Sequence, residues 1–497
     1  MSATLPYDIW CIIARFVPED DVVQLYAVNS AFFHYAMKIA YREVQISHLD
    51  DESTLRCVKN FGRPAVAHYV QSLILRPHAL GYYMYGASDF RGFLAESLWR
   101  VQGRVDGRAN PSGPAAARIL LRGITKMQNI KSLKVVHFCP DTYPYFVLAL
   151  PLVNEALVSS GSRIQTLSLE VPLESYEHIL PQTLKLSSLA TLNVVMQSHH
   201  DFAKANYSDS ISTTLVPFIL RHRHTLKHLS IDIQYRHGSA DLSSIFSGLN
   251  DFFSRLISLT MSIPFEYVYK PGVHTILANH SGLIQELKLV FYPPFLRQDF
   301  LLPPDQLFSL PIFQVPLPQL KVLDLDLWMW PETERRSATR NLVNYLFPVQ
   351  EILSVLILRH HLFCADDLRI LLDTSRGIFS HLARLQISVR YLCVDLFDIL
   401  ASQLPTLSRL DISFDTLGGN ISDSKNAETS YLTNVQNFHL AMQQRRYTNW
   451  TLRHLELSLM GNAAGRWEEC CGAIAQALPN IYSFNGISKD QSVRNKV

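Results

Sequence analysis

The sequence predicts an α/β chain in two parts: a module of three short helices, then a long irregular solenoid with a curved parallel sheet on its inner face. Three observations carry this. The first 46 residues place apolar side chains at helical spacing between clear helix stops. From about residue 70 a six-residue phrase recurs: apolar, two variable, apolar, one variable, apolar. The stretches between its copies are long enough for a helix or an irregular crossover.

The totals fit a folded chain. At 497 residues, with 48% apolar and 18% charged residues, it can bury a large core or several smaller ones. The net charge is +2 and the isoelectric point about 8.1, too balanced to gather nucleic acid or an anionic membrane, so neither is an expected partner. The cysteines (Cys11, Cys57, Cys139, Cys364, Cys393, Cys470 and Cys471) are odd in number and scattered, a pattern that suits the reducing cytoplasm and/or nucleus. Asp8 and Arg15 interrupt the only apolar stretch near the start, so no export signal is expected, and the sequons at Asn206, Asn279, Asn420 and Asn449 read as chance matches. The most apolar window, "YFVLALPLVNEALV", contains Pro151 and Glu155 and is shorter than the roughly 18 residues that cross a bilayer. The expectation is a soluble protein.

The opening reads "LPYDIWCIIARFVPEDDVVQLYAVNSAFFHYAMKIAYREVQI". Pro6 suits a first helical position and Asp8 the positive end of the helix dipole. Ile9, Ile13 and Phe16, with Ile12 and Val17 beside them, form a broad apolar stripe on a helix that ends near Val17, ahead of Pro18. Asp20 and Asp21 open a second short helix with Val22, Leu25 and Val28 on its apolar face. Ser30 is a candidate N-cap for a third, carrying Phe32, Phe33, Ala36, Ile39 and Ala40. Three short helices in about 45 residues cannot hide this much apolar surface among themselves. The excess either packs on the rest of the chain or awaits a partner.

These residues resemble the F-box. The likeness lies in Leu5, Pro6, Asp8 and Ile9, in Ile13 with the Phe16–Val17 pair, in Pro18 and the acid-rich run to Leu25, and in Val28, Ser30 and Phe32. It covers under a tenth of the chain, and departs from the family in carrying Val17 and Val22 where leucine is frequent. The resemblance implies docking on the Skp adaptor, and through it a cullin, of a ubiquitin ligase. The family's contact positions map onto Leu5, Pro6, Ile9, Ile13, Phe16, Val17, Leu25 and Val28.

The phrase is written as VQSLIL ending at Leu75, IKSLKV at Val135, IQTLSL at Leu169, LATLNV at Val194, LKHLSI at Ile231 and LISLTM at Met261. It continues as IQELKL at Leu289, LKVLDL at Leu325, LSVLIL at Leu358, LARLQI at Ile387, LSRLDI at Ile412 and LRHLEL at Leu457. After the first gap most copies start about 25 to 37 residues apart, a solenoid spacing. "ISTTLVPFILRHRH", "LRILLDTSRGIFSHL" and "WEECCGAIAQAL" read as intervening helices. The array resembles leucine-rich repeats, which bury their leucines only when stacked. It lacks the asparagine that usually follows the strand and ties the turn, and an α/β packing without a horseshoe is the rival arrangement. The expected organisation is residues 1–46 as the helical module, 47–487 as the solenoid with insertions near 80–116 and 415–430, and 488–497 as a flexible tail. Within the first insertion, a helix near Phe93 to Val101 and a disordered stretch from Gly103 to Pro114 are expected.

Variable phrase positions point to the open sheet face. Along that face Asp324 and Asp326 precede a column of Arg359, Arg384 and Arg409, with Trp328, Trp330 and Tyr292 in matching parity. Exposed Trp, Tyr and Arg anchor interfaces, so this patch is the candidate site for an unknown target protein, unless the tryptophans fold under the following loop as core. Common catalytic signatures are missing, the histidine run His222, His224 and His228 lacks a cysteine partner, and no metal or cofactor is expected. The leading expectation is a non-catalytic substrate-recognition adaptor. The alternatives are a repeat scaffold with no part in ubiquitin transfer, and an unrecognised α/β enzyme.

Overall fold

A strand of alternating apolar residues is stable only against neighbours of the same pattern, and the computed structural model shows each phrase meeting such neighbours. The structure describes residues 5–47, 60–61, 63–80, 113–137, 143–197, 211–234, 243–264, 271–292, 303–327, 332–372, 379–418, 427–460, 467–485 and 487–488. The chain divides into two compact units, Met1–Arg255 and Leu256–Val497.

The first unit begins with helices α1 (Tyr7–Phe16), α2 (Glu19–Gln24) and α3 (Ser30–Tyr41). Six strands follow: β1 (Glu43–Ile46), β2 (Ser72–Leu75), β3 (Ser132–Val136), β4 (Thr166–Pro172), β5 (Thr191–Gln197) and β6 (His228–Gln234). Each pairs in parallel with the next. The second unit holds β7 (Ser258–Pro264), β8 (Glu286–Tyr292), β9 (Val322–Asp326), β10 (Val355–Phe363), β11 (Arg384–Leu392), β12 (Arg409–Leu417) and β13 (His454–Leu459), again parallel and in chain order. Two short strands close it: β14 (Ser483–Phe484), parallel to β13, and β15 (Ile487–Ser488), antiparallel to β14. Parallel strands in sequence order, returned by helices, are the leucine-rich-repeat-like solenoid that the phrase predicts.

Every phrase strand starts at the third phrase residue, and like residues pair. In the second unit Glu286, Val322, Val355, Arg384, Arg409 and His454 stand in one row. All three apolar positions of every phrase are at most 5% exposed. Leu323, Leu356, Leu385, Leu410 and Leu455, each the central leucine of its copy, form a continuous buried column.

At the strand starts the main chain ties successive copies together. The carbonyl of the second phrase residue accepts two successive amides from the next copy. Gln165 O takes Ala190 N and Thr191 N at 2.8 and 2.9 Å, Lys321 O takes Ser354 N and Val355 N at 2.8 and 3.0 Å, and Ser408 O takes Arg453 N and His454 N at 2.9 and 3.0 Å. These backbone amides are thereby satisfied without a dedicated side chain.

The helical returns include Val216–Arg221, preceded by a π-helical turn Ile211–Leu215, together with Ala365–Leu372 and Trp467–Ala477. Two expected insertions are narrower than their predicted bounds. Strand β12 continues to Leu417 because Tyr391 and Leu392 offer it partners at Thr416 and Leu417, and a helix starts at Ala427. Gly418 ends the strand with φ +83°, and a Cβ there would lie 2.7 Å from Asn434 Cβ. Likewise Gly113 and Pro114 open the helix Gly113–Ile124. The expected helix Phe93–Val101, the stretch from Gly103 to 112 and the tail beyond Ser488 lie outside the described residues. Among the described residues, no helix is long and apolar enough to cross a membrane, and no cluster of His, Cys, Asp and Glu suits a metal ion.

Candidate functional site

Helix α1 has two apolar faces. The inner one, Trp10, Ile13, Ala14 and Val17, packs with Val22, Phe32, Tyr35, Ala36 and Ile39 into a small core. Trp10 meets Phe32 edge-on with ring centroids 6.0 Å apart. The outer face carries Leu5, Ile9, Ile12 and Phe16 at steps of four, three and four residues, which is one side of a helix. Phe16 is 85% exposed, Ile12 49% and Ile9 37%. Val23, Leu25, Tyr26, Val28 and Phe33, on α2, α3 and their link, are exposed as well.

The module is locally well defined. Pro18 stops α1, and α2 begins with Glu19, Asp20 and Asp21 at its positive end. Asn29, extended at φ −164°, caps α3 by accepting a hydrogen bond from Phe32 N at 3.0 Å. The cap predicted at Ser30 is therefore displaced by one residue: Ser30 is already helical, and only the residue before the turn has a side chain free to reach back. Tyr41 packs on Phe61, His34 hydrogen-bonds Tyr69 and β1 pairs with β2, which ties the helices to the first strands.

Of the eight positions that the F-box resemblance assigns to adaptor contact, Leu5, Pro6, Ile9, Phe16, Leu25 and Val28 are exposed. Ile13 and Val17 are half-buried against the inner core. Tyr7, Ile12, Val23, Tyr26 and Phe33 are exposed as well and were not among the predicted contacts. The Leu5, Ile9, Ile12, Phe16 spacing was the signal for Ile12.

On the strand face of the second unit, the acids and the arginine column form one paired lattice. Asp324 accepts from Arg359 Nε at 3.1 Å and Nη2 at 2.9 Å, with Lys288 Nζ 3.8 Å away. Asp411 accepts from Arg384 Nε and Nη2 at 3.1 and 2.8 Å, and from Arg409 Nε at 3.1 Å. Arg384 Nη2 also reaches Gln386 Oε1 at 3.4 Å, and Arg409 Nη2 reaches Glu456 at 3.3 Å. The carboxylates lie beneath: the Asp324 and Asp411 side chains are 9% and 10% exposed, against 38%, 34% and 42% for Arg359, Arg384 and Arg409. Tyr292 ends β8. Trp328 and Trp330 lie outside the described residues.

Strand β10 is irregular between Leu358 and Leu362, where His360 takes φ +59°. Its ring turns out to Asp326 at 2.5 Å, a contact that raises the imidazole pKa. His361 turns inward and is 2% exposed; burial lowers its pKa to about 4. Beside it Arg335 and the fully buried Asp367 pair at 2.7 Å, and Asp367 also accepts from Cys364 N at 2.9 Å. In the histidine run, His222 is buried, with Nε2 accepting from Leu186 N at 3.1 Å and Nδ1 2.9 Å from Phe218 O. A neutral ring with its proton on Nδ1 satisfies both contacts, and burial lowers its pKa accordingly.

No family model and no curated protein matches this chain. Among solved structures, a chain in the crystal structure of the Rad7 and Elc1 complex in yeast is similar at 11% identity and a TM-score of 0.36, over 84% of this chain and 90% of that one. A likeness so distant assigns the chain neither a family nor a partner.

Proposed function

We propose that this protein is a substrate-recognition adaptor of a Skp-cullin-F-box ubiquitin ligase, acting in the cytoplasm or nucleus. The helical module docks on the Skp adaptor, the solenoid holds a target protein, and catalysis belongs to the other subunits. One observation supports this most: α1 leaves a full outer row of apolar side chains in water after its inner row has filled the module's own core. Each such side chain gains roughly 1.5–3 kcal/mol when fully covered, which favours an apolar partner surface. The positions expected from the F-box resemblance coincide with much of that row. The chain's own chemistry would then be limited to bringing a target near a transfer enzyme.

Affinity purification of the tagged full chain from cells tests the reading. The Skp adaptor and a cullin are expected to co-purify with the unaltered protein and to be lost with a Leu5→Ser, Phe16→Ser variant that keeps its circular dichroism. Retention of both by the variant, or their absence from the unaltered protein, overturns it. A target that fails to accumulate on deletion, despite adaptor binding, points to a scaffold.

A further inference from the structure

The strand face of the second unit contains one arrangement twice. Asp324 lies under two cations, Lys288 and Arg359, and Asp411 lies under two more, Arg384 and Arg409. In each node a single shielded carboxylate orients two cations, and at the second the exposed Glu456 also pairs with Arg409. The acids are hard to reach, being about a tenth exposed, whereas the cations are about a third or more exposed. Arg384 and Arg409 are paired across adjacent strands, about 4.8 Å apart along the sheet. Each of the three arginines uses Nε and Nη2 for its contacts with the acids and Gln386, and Nη1 has no partner among the described residues.

We propose that this face binds an extended acidic segment of a partner protein, with Asp or Glu carboxylates seated on the outward edges of Arg359, Arg384 and Arg409. This rests on the reading that the solenoid holds a target, and names the chemistry of that target. The buried carboxylates orient the guanidinium forks before the ligand arrives, so little side-chain freedom remains to be lost. Glu456 pairs with Arg409 but is 53% exposed, and an exposed pair of that kind is weak enough to yield to a better acceptor. Glu286, exposed on β8, and Glu456, on β13, bound the acid-binding stretch at its two sides. A basic segment would meet the cations first and reach Asp324 and Asp411 only by displacing them. The face carries little net charge, so selection here is directional and short-ranged.

Selection of the full chain against a displayed library of random octapeptides, without any adaptor or cullin, tests the proposal. Enrichment of peptides with at least two Asp or Glu residues is expected. An Arg384→Gln, Arg409→Gln variant should bind the enriched peptide at least tenfold more weakly, and Arg384→Lys, Arg409→Lys, which keeps charge but loses the fork, should fall between. If these variants do not fold, the unaltered protein serves: the enriched peptide should weaken at least fivefold between 0.05 and 0.5 M NaCl. Enrichment of basic or apolar peptides, binding confined to phosphorylated peptides, no enrichment, or affinity indifferent to salt and to the substitutions overturns the proposal. Because no adaptor is present, acidic selection that survives alongside failed adaptor docking removes only the ligase reading, and the converse removes only this one.

Discussion

The helical module and the strand repeats are built from the same leucines, isoleucines, valines and phenylalanines, yet meet opposite ends. In the phrases every apolar position is at most 5% exposed, whereas on α1 Phe16 stands 85% exposed. The difference is one of neighbours. Within each unit an interior strand has a copy on either side, so its leucines are enclosed. The module has three short helices, and once Ala14, Val22, Phe32 and Ala36 are covered it has nothing left with which to cover the outer face of α1. The repeats therefore commit their apolar surface to stability. The module keeps a reserve of it for association.

Substitutions and pH separate these two uses. The largest effect is expected at Leu410, fully buried in the middle of the leucine column: Leu410→Ala should lower unfolding free energy by about 2–5 kcal/mol in urea titration, with no direct effect on adaptor binding. A loss under 1 kcal/mol would break the claim that this column is close-packed.

Acid comes next. His361 has a folded pKa near 4, below the unfolded value of about 6.5, and burial shifts His222 and His280 in the same direction. Above pH 6.5 these rings are neutral in both states and contribute nothing to the pH dependence. As pH falls from about 6.5 towards 4, the unfolded state takes up protons that the folded state refuses, so stability declines, by up to about 3 kcal/mol for His361. A His361→Phe variant should flatten this decline in thermal melts across that range. An unchanged slope would show that other groups govern it.

Smaller still is the cap. Asn29→Ala should cost about 1 kcal/mol, felt by the module and read as faster amide exchange in α3 with the strands unaffected. The smallest stability effect is at Phe16, where Phe16→Ala should change unfolding free energy by no more than about 0.5 kcal/mol. A larger loss would place Phe16 in a core after all.

Much of the fold was legible because each level of the sequence agrees. Period-two alternation inside the phrase set the strands, the repeated spacing set their parallel order, and each strand starts at the same phrase residue. What escaped depends on contacts between distant segments. Ile12 and Ile13 are equally apolar, and only the position of α3 makes Ile13 inward and Ile12 outward. The acids and arginines of the strand face were visible as two separate features, but pairing Arg359 with Asp324 requires the register between strands β9 and β10. Asn29 and Ser30 are both good caps, and the choice between them is set by backbone angles. The outward and inward turns of His360 and His361 arise from an irregularity in β10 with no sequence mark of its own.

The central claim, that the outer row of α1 is kept for a partner, is tested most directly by calorimetric titration of the purified full chain with purified Skp adaptor, alongside an Ile12→Glu, Phe16→Glu variant whose unfolding midpoint is recorded in parallel. The account predicts saturable binding by the unaltered chain, at least a hundredfold weakening in the variant, and an unfolding midpoint that does not move. Equal binding by both chains, or none by the unaltered one, would contradict it.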